Sequence, residues 1–480
     1  MENTKIELLP HQKKTVKKVI NEFNGRAILA DEVGMGKTIE AGMILREYIK
    51  MGEINKLLIL VPASLGFQWV EEMVKKIKIE NIFFNRKGVI WDYFDYQIAS
   101  IDMAKRKKHA SELRKIDFDM VIVDEAHKLK NSDTLNWKFV NSLKKKYCLL
   151  LTATPVQNNL KELYNLIRIL YPDKYKDYKD FKKKYVGGKY LIKNKNELKD
   201  ELSDLMIRNY HTQIKNEIGQ RNIKQYFVTL TEEERILYDR VTDYVKKQFA
   251  KNINRKKSIL HLLTYQREMC SSSYALQRTL AKKNDCDHEL KEIYELANNI
   301  KYNKKLEKVF EILKKYPNEK ILIFTEFRAT QAYIAYHLEK SGYKTIVYNG
   351  GMSSSSKEWI KNIFKKQRDI MISTEAGSQG LNLQFSNVII NYDLPWNPMK
   401  LEQRIGRVDR LGQNKDVFVY NLATKDTIEE KILYVLYKKI NLLKDIVGDM
   451  EDILKTDNKN LDSEIIDILC EKNLKNTKSI

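Results

Sequence analysis

Cysteine is scarce in this 480-residue chain: Cys148, Cys270, Cys286 and Cys470 stand far apart, with no C-x-x-C pairing. Such spacing supports neither a disulfide framework nor a zinc site, and it fits reduced thiols. No apolar run approaches the ~20 residues of a spanning helix, and the opening MENTKIELLP lacks the basic-then-apolar pattern of a signal peptide. The expectation is a soluble, cytoplasmic protein with no membrane partner. Fixed-period repeats and long low-complexity tracts are also missing, although SSSS at 353–356 reads as a loop. Acidic residues are outnumbered 64 to 86 by Lys and Arg, giving +22 at pH 7. That excess suits a polyanionic partner, and a lysine-rich surface serving only solubility explains it equally well.

What is present points to an α/β protein. With 43% hydrophobic residues, the length allows two or three domains with ordinary cores. Short apolar runs recur between helical stretches: AILA (27–30), LLILV (57–61), MVIV (120–123) and CLLLT (148–152). A second series follows: ILIFT (321–325), TIVY (345–348), IMIST (370–374), VIINY (388–392) and VFVY (417–420). Runs of this kind read as buried parallel strands, so two α/β units are expected. Residues 156–300 carry helical spacing and read as a connector. Within them Tyr175, Tyr178, Phe181 and Tyr185 share one helix face, either as a buried stripe or as a platform that stacks bases. Near the end, Thr427 and Glu430 form a capping-box pattern opening an amphipathic helix through Ile428, Ile432, Val435 and Leu436. From Asp449 onward eight acidic residues face five basic ones, a net −3 that leaves +25 on the rest. Leu461, Ile465 and Leu469 mark this tail as a docking helix.

The stretch ILADEVGMGKTIEAG (28–42) places glycines, a lysine and a threonine between a strand and a helix. A P-loop needs that context, because backbone N–H groups and a helix N-terminus must point at the phosphates. Gly34 and Gly36 would let the main chain approach the anion, Lys37 would neutralise β/γ-phosphate charge, and Thr38 would ligate Mg²⁺. The usual first glycine is absent, with Asp31 five residues before Gly36. By itself the stretch also reads as a glycine-lined turn. MVIVDEAH then ends a strand with adjacent carboxylates, where α/β ligand sites lie. Asp124 would hold Mg²⁺, and Glu125 would orient and deprotonate the attacking water. His127 alone cannot build a metal site and is assigned to coupling between the ATP and nucleic-acid sites. LEQRIGRVDRLGQ (401–413) supplies Arg404, Arg407 and Arg410 within one or two helical turns, with Arg407 and Arg410 on one face. An arginine there would stabilise charge on a transferred phosphoryl group, or the segment is simply a basic helix surface.

With these segments in order, the sequence resembles the Swi/Snf family of superfamily 2 helicase-like ATPases over most of residues 5–445. DEVGMGKTIEAG and GRVDRLGQ are closest to its bacterial RapA-type branch, whose pattern accounts for the missing first glycine. The resemblance implies two RecA-like lobes, parallel sheets flanked by helices, with ATP and Mg²⁺ as cofactors. The expected organisation is lobe 1 over 1–215 with a helical protrusion from about 156, a helical connector over 216–300, lobe 2 over 301–448, and an acidic tail over 449–480. LLPHQKKTV is similar to the adenine-reading segment, implying Gln12 for the base. Further nucleotide contacts are implied for Asp31, Gly34, Met35, Gly36, Lys37, Thr38, Gly380, Gln403, Arg407 and Arg410. LLILVPASLGFQWVEE is similar to the first nucleic-acid-contacting segment, implying Pro62, Ser64 and Trp69. Second-lobe segments similarly imply Thr325, Thr374 and Trp396, and LLLTATPVQNN implies coupling through Thr152 and Thr154. Arg208 stands alone where two arginines are usual.

The activity so implied is ATP-dependent translocation along double-stranded DNA that displaces or remodels bound protein. A partner protein supplying targeting or effector function is expected, since the motor fills nearly the whole sequence. The contacts would be sequence-independent, because nothing resembles a recognition helix or zinc finger. Basic runs at 105–109 and 254–257 extend such contacts or are solvated loops. Two other readings stay open: an ATP-gated DNA clamp recruiting an effector such as a nuclease, and an RNA polymerase recycling factor.

Overall fold

The computed structural model describes residues 8–88, 90–155, 160–187, 193–210, 219–251, 256–282, 288–375, 382–434 and 436. The chain divides into two compact units, one running to Lys215 and the other beginning at Asn216.

The first unit is built on a seven-stranded sheet in the order β3-β4-β2-β5-β6-β1-β7. Its strands are β1 (Arg26–Leu29), β2 (Leu57–Val61), β3 (Ile82–Asn85), β4 (Tyr96–Ser100), β5 (Asp117–Val123), β6 (Lys144–Leu151) and β7 (Met206–Ile207). Every pairing is parallel. The central runs are apolar at every position because both sheet faces are covered. Ile28, Leu58, Leu60, Val121 and Val123 enter one core cluster, while Leu29, Leu57, Ile59, Met120 and Ile122 enter the other. Three helices matter for the site: α1 (Pro10–Asn21), α2 (Lys37–Lys50) and α3 (Gly66–Glu71). Phe181 and Tyr185 are buried in the first cluster with Tyr175 and Tyr178 packed against them, so the aromatic stripe is core and not a base-stacking platform.

The second unit carries a six-stranded parallel sheet in the order β10-β11-β9-β12-β13-β8. Its strands are β8 (Arg221–Val228), β9 (Ile321–Thr325), β10 (Thr345–Tyr348), β11 (Ile370–Thr374), β12 (Val388–Asn391) and β13 (Val417–Thr424). Alternate residues again feed two clusters, Ile321, Ile323 and Ile372 in one and Leu322, Phe324 and Met371 in the other. Helices Glu232–Lys251, Lys256–Ser271, Ser273–Leu280 and His288–Asn299 pack around a third cluster containing Leu237, Val241, Leu276 and Ile293.

Three expectations need correction. The connector is not wholly helical, since Arg221–Val228 pairs with β13 over eight residues as an edge strand. Its polar, half-exposed sequence hides it from a search for apolar runs. SSSS is no loop: Ser353 caps the helix Ser354–Gln367, its hydroxyl accepting from the Ser356 N–H at 3.2 Å. The arginine segment is helical only over Pro398–Ile405, with Gly406 at its C-cap, so Arg407 and Arg410 lie in the turn beyond the helix. Ile428, Ile432 and Leu436 are buried as the amphipathic pattern requires. Gly380, Val435 and the acidic tail over 449–480 lie outside the described residues.

Candidate active site

β1 ends at Leu29 and α2 opens at Lys37; between them the loop passes through Gly34 and Gly36 with φ of 93° and 91°. That left-handed backbone favours glycine, and Gly36 caps α2 so that the helix N-terminus faces the loop. The Lys37 ammonium donates to the Asp31 and Glu32 carbonyls at 2.7 and 3.0 Å. Burial lowers its pKa, opposed by the Asp31, Glu125, Asp124 and Glu40 carboxylates. Thr38, next along, is half-buried. Gln12 on α1 accepts from the Leu9 N–H at 3.2 Å and donates to the Met35 carbonyl at 3.1 Å. The amide is therefore already engaged, and reading a base requires exchanging those bonds. Met35 has a buried side chain and meets α1 through its carbonyl.

Asp31 differs from the expectation. Its carboxylate is fully buried and accepts from the Asn209 backbone N–H at 2.8 Å and the Asn209 amide at 3.0 and 3.1 Å. It braces the loop against the segment after β7. Behind it Glu40 and His11 complete a buried cluster, with Asp31, Glu40 and His11 offering atoms within 4.8 Å of one another. Burial, then Asp31, holds the Glu40 carboxyl well above the usual range. Asn209, Glu40 and His11 were missed as site residues. The available signal was Glu40 on a helix stripe that is otherwise apolar.

Two strands away, β5 delivers Asp124 and Glu125. Asp124 donates its N–H to the Leu60 carbonyl at 2.9 Å. Its carboxylate accepts from the Glu125 N–H at 2.8 Å and the Trp69 indole N–H at 2.9 Å. Burial, then the Glu125 charge, pushes the carboxyl up to about 6. Glu125 sits at φ 52°, an uncommon conformation for a residue with a Cβ, costing roughly 1–2 kcal/mol and aiming its side chain. Its Oε2 lies 3.0 Å from His127 Nδ1. Thr38 and Asp124 offer hydroxyl and carboxylate oxygens, the hard donors that Mg²⁺ takes, so the donor chemistry fits that ion. At the end of β6 the Thr152 hydroxyl accepts from the Thr154 N–H at 3.1 Å, and both threonines are buried.

In the second unit Arg404 is fully buried, donating to Glu375 at 3.1 and 2.8 Å, Asn391 at 3.2 Å and the Asp393 carbonyl at 2.7 Å. It is structural. Arg407 is 7% exposed, Arg410 donates to the Gly406 carbonyl at 2.6 Å, and Gln403 is half-buried.

Several residues implied for nucleic acid face inward. Trp69 is 1% exposed and bonded to Asp124. Thr325 is buried and donates to Asp393, and Thr374 is buried at the end of β11. In this conformation these three side chains are closed to solvent. Trp396 is half-buried beneath the Arg267 guanidinium, 4.6 Å from its ring centre. Pro62 is buried, and Ser64 stands exposed at the turn after β2.

A phosphate loop and a paired-carboxylate turn at one edge of a parallel sheet, with a second parallel-sheet unit following, are the parts of a helicase-like ATPase. The chain belongs to the SNF2-related family: the SNF2-related domain matches residues 11–275, and the helicase conserved C-terminal domain matches 304–412. It is 43% identical to the uncharacterized ATP-dependent helicase YqhH of Bacillus subtilis, over 96% of this chain and 83% of that protein. It is 28% identical to the RNA polymerase-associated protein RapA of Vibrio parahaemolyticus, over 88% of this chain but only 48% of RapA. Among solved structures it is similar to the Sulfolobus solfataricus SWI2/SNF2 ATPase core in complex with dsDNA, at 26% identity and TM-score 0.44, covering 94% and 95% of the two chains. The protein is thus an ATP-dependent, helicase-like ATPase. No described helix is long and apolar enough to cross a membrane.

Proposed function

We propose that this ATPase is stimulated by duplex DNA, translocates along it, and displaces or remodels bound protein as the motor of a larger system. The observation that carries the reading is the geometry of the first unit: left-handed Gly34 and Gly36 open α2 at Lys37, and the Asp124–Glu125 pair follows β5, two strands away in the same parallel sheet. Such a set is built for a polyphosphate with a divalent cation, and the +22 balance suits a nucleic-acid track. Mg²⁺, held by Thr38 and Asp124, would supply charge neutralisation at the phosphates. Lys37 leaves the Asp31 and Glu32 carbonyls to meet the β- and γ-phosphate oxygens. Glu125, oriented by His127, accepts the proton of the attacking water, while Arg407 and Arg410 stabilise charge on the transferred phosphoryl group. Gln12 exchanges its bond to Met35 for the base.

Steady-state hydrolysis tests these roles. Lys37→Ala and Glu125→Gln each abolish turnover, Glu125→Gln still binds ATP, and Arg407→Ala lowers kcat by roughly 10³-fold or more. Wild-type turnover in Glu125→Gln would remove the general base from this scheme.

The RapA relationship favours a second reading, RNA polymerase recycling. Retention of core RNA polymerase on the immobilised chain supports it, and failure to retain the enzyme counts against it.

A further inference from the structure

After β2 the chain turns over Pro62–Leu65, the Leu65 N–H donating to the Pro62 carbonyl at 2.9 Å, and enters α3. Ala63, Ser64 and Phe67 are exposed on this turn and helix. Trp69 points inward from the same helix, and its indole N–H ends on Asp124 Oδ2. Strands β2 and β5 are neighbours in register here, Leu60 opposite Val123, so the helix over the end of one strand meets the carboxylate at the end of the other. Trp69 and the Glu125 N–H hold the two carboxylate oxygens separately, which fixes the plane of the group.

The helix carrying Trp69 is seated tightly. A Cβ on Gly66 would lie 2.0 Å from Phe84 Cζ, so α3 rests directly against that ring. α3 continues into a π-helical turn, Glu72–Ile77, a rare geometry that concentrates at functional positions. Met73 and Ile77 on that turn close on α2, where a Cβ on Gly42 would meet them at 2.8 and 2.7 Å. One continuous helical segment therefore touches the helix of the phosphate loop and the carboxylate opposite it, and begins at an exposed turn.

We infer that Trp69 is a positioning residue for Asp124, and that duplex DNA engaging the turn at Ser64 acts on the Mg²⁺ site through this hydrogen bond. The inference rests on the reading that Asp124 holds Mg²⁺. It accounts for a tryptophan that lies in a segment similar to a nucleic-acid-contacting one yet is closed to solvent. Residues that orient a metal ligand without touching the metal typically alter metal affinity or activity by ~10–100-fold.

The test uses the full chain, the Trp69→Phe variant and fluorescent ribose-labelled AMP-PNP, titrated with MgCl₂ and separately in EDTA. Phenylalanine keeps an aromatic ring and removes the donor. The expected result is half-maximal Mg²⁺-dependent binding at ~10–100-fold higher Mg²⁺, unchanged binding in EDTA, an unchanged Tm, and weaker stimulation of hydrolysis by duplex DNA. An unshifted Mg²⁺ midpoint overturns the inference, as does equal weakening in EDTA, which marks a packing role only. Wild-type binding that ignores Mg²⁺ would instead overturn the metal-site reading itself. Should Trp69→Phe fail to fold, Gly66→Ala displaces α3 from Phe84 and raises the Mg²⁺ midpoint in the same way, while Gly66→Ala with Phe84→Leu restores it. A folded Gly66→Ala protein with a wild-type midpoint also overturns the inference.

Discussion

Glu40 lies behind the phosphate loop with its carboxyl beside Asp31 and the Thr15 hydroxyl. Its folded-state pKa is raised, first by burial, so the folded protein holds a proton that the unfolded chain releases at lower pH. The stability tied to that proton is complete below the unfolded carboxyl range and is lost as pH rises through the folded pKa. Glutamine is the uncharged near-isostere of the protonated acid. Thermal unfolding followed over pH 5–9 should show wild type losing stability relative to Glu40→Gln as pH rises; parallel curves would mean that Glu40 is ionised in place. At this scale the sequence reveals residues whose chemistry depends on neighbours in the chain, as with Gly34, Gly36, Lys37 and Thr38. It does not reveal partners far along it. Trp69 meets Asp124 across 55 positions and Asn209 meets Asp31 across 178, and no local spacing encodes either.

Lys305 enters on the helix Lys304–Leu313 and is 3% exposed, its ammonium 2.8 Å from both oxygens of Glu429 and 3.8 Å from Asp393. Burial opposes its charge, but Glu429 and Asp393 outweigh it and keep the ammonium protonated. Glu429 also accepts from the Thr424 N–H and hydroxyl at 3.0 and 2.8 Å, so the pair fastens that helix to the end of β13. Removing one member strands the other charge in the interior. Lys305→Ala should destabilise the second unit by ~3–5 kcal/mol, measured by urea unfolding; a loss under ~1 kcal/mol would mean that water reaches Glu429. Among elements, the nine apolar runs mark strands because each is covered on both faces, where burying one Val or Leu side chain contributes ~1.5–3 kcal/mol. β3, β4, β7 and β8 escaped that criterion for physical reasons. β3, β7 and β8 are edge strands, β7 has two residues, and β4 begins with the polar Tyr96 and Gln97. Arginines at helical spacing carry no stop signal and read as helix past Ile405, whereas Gly406 ends the helix there as its C-cap.

At the scale of the whole molecule, net charge and motif order carry the functional account. An excess of 22 positive charges in a sequence with no segment resembling a recognition helix or zinc finger should bind phosphates without regard to sequence. Binding of unrelated duplexes should then fall on one line of log affinity against log salt, with a slope near −5 if six phosphates are neutralised, since each contributes about −0.9. Fluorescence anisotropy with two duplexes of different sequence checks this; a tenfold preference for one of them would contradict it. Family membership was legible from the order of the segments, whereas the fate of each implied contact was not, because burial is a property of the folded unit. The central claim, an ATPase coupled to duplex DNA, is tested most directly by the rate of phosphate release from ATP with duplex DNA, single-stranded DNA, RNA or no nucleic acid. The account predicts low basal turnover raised at least tenfold by the duplex and less by the others; equal rates in all four conditions would contradict it.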